Sequence, residues 1–71
     1  MKNININDTV RILKDKDFVC PVEHIKKDSI GSVVDIIKKG DSTGYIVEIN
    51  YEVYDFQEDE IEVIHLNKEI K

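Results

Sequence analysis

Three side chains in this sequence have the chemistry of a metal ligand, or of a nucleophile and its base: Cys20, His24 and His65. Zinc sites are built from four ligands, commonly supplied as close-spaced pairs. Cys20 and His24 are four residues apart and His65 lies far along the chain, so no second pair exists and no metal or cofactor is expected. A catalytic cysteine needs a thiolate in an electropositive pocket and a third group that orients its base. Lys26 and Lys27 follow in sequence, but Cys20 precedes Pro21 and does not open a helix. Ordinary loop and core roles are the simpler reading of all three, and no enzyme is expected.

Carboxylates form a denser group: Glu48, Glu52, Asp55, Glu58, Asp59, Glu60 and Glu62. Two carboxylates sharing a cleft do acid–base work, but these alternate with core residues or fall in a turn, which turns most of them to water. As a solvated face they need no function. As a partner surface, Glu52, Asp55, Glu58, Asp59 and Glu60 supply negative charge, and Tyr51 and Tyr54 between them supply contact area of the kind that dominates interfaces. The basic residues gather elsewhere, as Lys26 and Lys27 before an apolar run and Lys38 and Lys39 after it. That set is the alternative, a nucleic-acid-binding surface. Phosphate neutralisation supplies most nucleic-acid affinity, and a net charge of −5 with no tryptophan and five other aromatics works against it.

Charge divides the chain. Residues 1–40 carry eight Lys/Arg against six Asp/Glu, whereas residues 41–71 carry two against nine. Such a balance repels phosphate backbones and suits a basic protein partner. Seventy-one residues make one domain, expected over 1–71 with its core at 8–66. No apolar run exceeds three residues, the first ten residues lack the apolar stretch of a signal peptide, and one cysteine cannot form an internal disulfide. These features predict a cytoplasmic protein.

The elements that position these residues read as short strands. Thr9 to Lys14 alternates, with Val10 and Ile12 on one face and Thr9, Arg11 and Leu13 on the other. Asp15 to Asp28 is a long loop anchored by Phe18, Val22 and Ile25, and is itself a candidate binding surface. Ser32 to Ile37 is the central strand, rich in β-branched residues. Gly31 before it implies a positive φ or a close approach to another strand. Lys38 to Gly44 is a hairpin turn. Tyr45 to Asn50 buries Tyr45, Val47 and Ile49, and Tyr51 to Phe56 buries Val53 and either Tyr54 or Phe56. Gln57 to Glu60 is a 3₁₀ turn. Ile61 to Leu66 closes the set, with Ile61, Val63 and His65 to one side. Together they predict an all-β fold: a small five-stranded antiparallel barrel, with the long loop between strands 1 and 2 and the 3₁₀ turn before the last strand. Tyr51 to Phe56 is also a candidate edge for homodimer formation.

The order DTVRIL, a long loop, a lysine–glycine turn leading into GSVVDI, a turn, YIVEI and a closing DEIEVI resembles the SH3-like barrels of the KOW type. It resembles still more closely a group of small, stand-alone bacterial domains with this layout and no assigned activity. The corresponding stretches are Lys27 to Ile37, Tyr45 to Ile49 and Asp59 to Ile64, and the likeness extends over Asp8 to Leu66. Two departures lie in turns: Asp28-Ser29 stands where a glycine is usual before Gly31, and the turn near Asn50 has no glycine. Some members of that group lie beside toxin-like genes and look like immunity or antitoxin partners. The resemblance therefore implies an SH3-like barrel and an acidic inhibitor that covers a basic, nuclease-like protein. KOW-type barrels imply the alternative, an RNA- or ribosome-associated module using Lys26, Lys27, Lys38 and Lys39. A structural accessory subunit of a larger enzyme is a third class.

Overall fold

The computed structural model describes residues 3–19 and 22–64. Its strands are β1 (Thr9–Ile12), β2 (Lys16–Val19), β3 (Val22–Ile25), β4 (Ile30–Lys39), β5 (Ser42–Ile49), β6 (Glu52–Gln57) and β7 (Ile61–Val63), with one 3₁₀ turn, η1 (Glu58–Glu60). Every pairing is antiparallel. Five strands form one sheet in the order β6-β5-β4-β1-β7, and β2 with β3 form a second. The fold is all-β, and among the described residues no helix is long and apolar enough to cross a membrane.

The expected five-stranded barrel does not close by hydrogen bonding. β6 and β7 are the two edges of the sheet, and among the described residues no ladder joins them. A single turn of 3₁₀ helix carries the chain from one edge to the other, and the Leu13 N–H donates to the Glu60 carbonyl at 2.8 Å where it arrives. Gln57 and Glu60 cap this turn reciprocally, each side chain taking up the other's backbone N–H.

The segment Asp15 to Asp28 is not a loop. Most of it is the β2–β3 hairpin, paired from Lys16↔Ile25 to Val19↔Val22. Proline disrupts a ladder only where its missing N–H is needed, and Pro21 falls between the two strands. Two of the three expected anchors hold. Ile25 is buried, and the Phe18 ring lies 4.9 Å from that of Tyr54 and 5.4 Å from that of Phe56. Val22 is no anchor, because the hairpin outruns the core: Val22 is 84% exposed and Val19 87%.

β4 is the middle strand and runs four residues longer than its apolar block suggests. A β-bulge at Val34 shifts its register against β5 between Val33↔Val47 and Asp35↔Ile46. Before the bulge, Gly31 and Val33 point inward; after it, Ile36 lies opposite buried Tyr45, while Asp35 and Ile37 point outward. The bulge thus keeps one face apolar through a VVDII block that fits neither strand parity throughout. Gly31 serves close approach. A Cβ there would lie 2.6 Å from the Glu48 carbonyl oxygen and 2.6 Å from Ile49 Cγ1.

Both glycine-poor turns form without glycine. Asp28 itself adopts φ 75°, and its N–H donates to the Ile12 carbonyl at 2.7 Å. Asn50 and Tyr51 have φ 54° and 72°, the two positive values of a two-residue type I′ hairpin, which sets the pair Ile49↔Glu52. That register corrects the expected parity of β6: Tyr54 and Phe56 are both buried, and Val53 is outward and 53% exposed. The β4–β5 turn is tighter than Lys38 to Gly44, with only Gly40 and Asp41 between Lys39 and Ser42. Inside the sheet, Val10, Ile12, Val33, Val47, Phe56 and Ile61 are fully buried, and Ile4, Ile25, Tyr45, Ile49 and Tyr54 pack around them.

Candidate partner-binding surface

The register of β6 separates the residues of the predicted acidic surface. Tyr51 stands at the tip of the β5–β6 hairpin, 95% exposed, with Glu52 beside it. Tyr54 turns the other way. It is 6% exposed and stacks against Phe18 in the core; burial, with Glu23 and Glu52 nearby, pushes its phenol above the ordinary value. Asp55 projects outward and Asp59 is exposed on η1. Glu58 is half-buried on the same turn, near Tyr45.

Glu60 is occupied within the fold. Its Oε1 accepts from the Lys16 ammonium and from the Gln57 N–H, each at 2.8 Å. Burial pushes this carboxyl up, but the Gln57 N–H, Lys16 and Lys14 outweigh it and hold the group below the usual range. Lys16 also donates to the Asp55 carbonyl at 3.0 Å and sits 5.3 Å from the Phe56 ring centre. One ammonium therefore ties the β2–β3 hairpin to β6 and to η1.

The two lysine pairs do not meet. Lys26 and Lys27 lie in the turn before β4, and Lys38 and Lys39 at its far end. At about 3.3 Å per residue, a strand of this length separates them by roughly 30 Å. Arg11 is engaged by Glu62 across β1 and β7.

His24 has its own partners on the hairpin. Its Nδ1 is hydrogen-bonded to Asp17, the cross-strand residue, and its Nε2 lies 3.5 Å from Asp15. The Asp17 hydrogen bond, opposed by burial and aided by the charges of Asp17 and Asp15, raises the imidazole pKa. Asp15 accepts the Lys27 N–H, which with the nearby cations lowers its own pKa despite some burial. The signs define a window. A raised histidine contributes fully below its unfolded value and loses that contribution as pH rises through its folded one, whereas a lowered carboxyl contributes above its unfolded value and loses it as pH falls. The β2–β3 hairpin is therefore held best between about pH 4 and about pH 6.5. Amide exchange in β2 and β3 should quicken, relative to the main sheet, as pH rises through the His24 titration, and Asp17→Asn should remove the effect. An unchanged ratio across that titration would refute it. Cys20 and His65 lie outside the described residues.

The main sheet presents a second surface that segment-by-segment reading does not collect. On the outer face of β4, β5 and β6, Asp35, Ile46 and Asp55 form one cross-strand row, and Ile37, Gly44 and Gln57 form the next. Glu48 and Val53 pair beyond them. Three carboxylates thus frame an apolar centre of Ile46, Val53 and Ile37. The signal lay in β-strand parity, but the Val34 bulge is needed to place Asp35 and Ile37 on this face. No protein-family model, no curated protein and no solved structure matches this chain.

Proposed function

We propose that the chain is a small SH3-like domain that acts as a non-catalytic protein-binding module in the cytoplasm, an acidic inhibitor of the immunity or antitoxin kind that covers a basic, nuclease-like protein. The observation that carries this reading is Tyr51. A large aromatic ring is held almost fully in solvent, on a residue with φ 72°, beside Glu52. The left-handed region costs a non-glycine residue about 1–2 kcal/mol, and glycine or asparagine would fill the position with less strain. Strain of this kind collects at binding and catalytic sites. An exposed tyrosine beside a carboxylate is suited to anchor on a cationic surface. The separation of the two lysine pairs favours this reading over a phosphate-binding one.

The test is one substitution with two readouts. Tyr51→Gly should stabilise the fold by about 1 kcal/mol, raising Tm by roughly 4–8 °C, because the strain is relieved. It should also weaken capture of the partner by tenfold or more, on the order of 2 kcal/mol for a lost aromatic anchor. The wild-type chain serves as bait in its native cell, washed at low and then moderate salt. One basic protein recovered in stoichiometric amount and weakened by salt is the expected result. RNA or ribosomal proteins that disappear on nuclease treatment would refute it, as would a Tyr51→Gly bait that captures as well as the wild type.

A further inference from the structure

We infer that the outer face of β4, β5 and β6 is the docking surface for an arginine side chain of a basic partner, seated in the notch over Gly44. This inference rests on the partner reading above and names its contact point. Gly44 leaves a gap in an otherwise side-chain-bearing face, between Ile37 and Gln57, its two cross-strand neighbours. The depression is lined by Ile37, Lys39, Ser42, Gly44, Asp55 and Gln57. A Cβ built on Gly44 would come 3.2 Å from Asp55 Oδ1, so the carboxylate overhangs the gap. The notch thus combines an apolar wall, an open floor and an acceptor aimed across it.

The occupant follows from charge and shape. Arginine has a flat apolar stem and a planar fork that matches a carboxylate. Its stem fits along Ile37, its guanidinium reaches Asp55, and the charge is favoured by Asp35 and Glu48 on the same face. Ile46 and Val53 continue the surface toward Tyr51, which gives apolar neighbours of that arginine somewhere to lie. A second copy of this chain is disfavoured, because a two-fold contact would set Asp35, Glu48 and Asp55 against their own equivalents. Among the described residues that line the notch, Lys39 is the one opposing charge, and it makes a sharp control.

The test uses ¹⁵N-labelled protein and a capped tripeptide, Leu-Arg-Leu, with Leu-citrulline-Leu as its neutral twin. Saturable shifts centred on the Gly44, Ile46 and Gln57 amides are expected. Asp55→Asn should weaken binding about tenfold, as should citrulline, each removing the charge-assisted hydrogen bond. Gly44→Ala should abolish saturation by filling the floor. It should fold, since the only close neighbour of the new methyl group is a side chain able to swing away. Lys39→Ala should tighten binding about twofold. Shifts that fail to saturate, that centre on Glu58 and Asp59, or that are equal for citrulline would overturn the notch. The same variants in the bait experiment separate the two ideas. A basic protein captured equally by wild type, Gly44→Ala and Asp55→Asn overturns the notch alone, whereas absence of any basic protein overturns the partner reading and leaves the tripeptide result to decide the notch.

Discussion

Gly31→Ala is expected to destabilise the protein by about 2–3 kcal/mol, the upper part of the range for overpacking a filled core. The added methyl group would lie 2.6 Å from the Glu48 carbonyl oxygen, 2.6 Å from Ile49 Cγ1 and 2.7 Å from Val47 Cγ1. Two of these atoms belong to buried side chains and the third is backbone, so none can move aside without opening β4 from β5. The strand that would have to shift also pairs with β1 through Val10↔Gly31, so the strain spreads to both of its neighbours. Thermal and urea melts should show Tm lower by more than about 10 °C with an unchanged m-value. A loss under about 0.5 kcal/mol would show that the sheet yields locally, and would remove close approach as the reason for glycine at this position.

Phe56→Ala should cost more, about 3–5 kcal/mol, as for other fully buried aromatic rings. A domain of 71 residues has a total stability of only about 4–10 kcal/mol, so this variant should be partly unfolded at 37 °C. The consequence is directional as well as large. Phe56 supports the Phe18 ring at 5.4 Å and the Lys16 ammonium at 5.3 Å, two of the groups that dock the β2–β3 hairpin on the sheet. Hydrogen exchange in the variant should therefore show the hairpin amides unprotected while β4 and β5 keep measurable protection. A loss below about 2 kcal/mol, with the hairpin still protected, would mean that Phe18 collapses into the vacated space.

The fold was legible where one physical rule acted alone. Alternation placed Val10 and Ile12 inward, and Tyr45, Val47 and Ile49 likewise, because a strand with one wet face has only one register that buries its branched and aromatic residues. The run of three acidic residues after Gln57 likewise marked a short turn. Legibility failed where two rules competed. Asp15 to Asp28 reads as a loop because Pro21 and the charges of the segment mask the β2–β3 hairpin. The turn near Asn50 carries no glycine to mark it, because Asn50 and Tyr51 adopt its positive φ values at a cost. That turn's length fixes the parity of β6, which puts Val53 outward, and the composition of Tyr51 to Phe56 does not reveal it.

The candidate surface was legible in composition and not in arrangement. The excess of carboxylates after residue 40 is plain, and Tyr51, Glu52, Asp55 and Asp59 are indeed at the surface. Tyr54 and Glu60 are drawn into the fold by Phe18 and Lys16, both supplied by a hairpin that the sequence hid. Asp35 belongs to the half of the chain with a positive balance, so no running count of charge associates it with Asp55. Only the bulge at Val34 and two cross-strand pairs bring them to either side of Ile46.

The two-residue turns also bear on the order in which the molecule is assembled. β4, β5 and β6 are consecutive and joined by turns at Gly40-Asp41 and Asn50-Tyr51, so their ladders close over short stretches of chain. β1 meets β7 through Val10↔Val63, about fifty residues apart, and that loop must be closed against a larger entropy cost. The three-stranded meander is therefore the natural nucleus, and the β1–β7 ladder is the last to form and the first to open. The wall that carries Asp35, Ile46 and Asp55 is then in place early, so a partner that grips this wall would meet its binding surface while the rest of the chain is still closing.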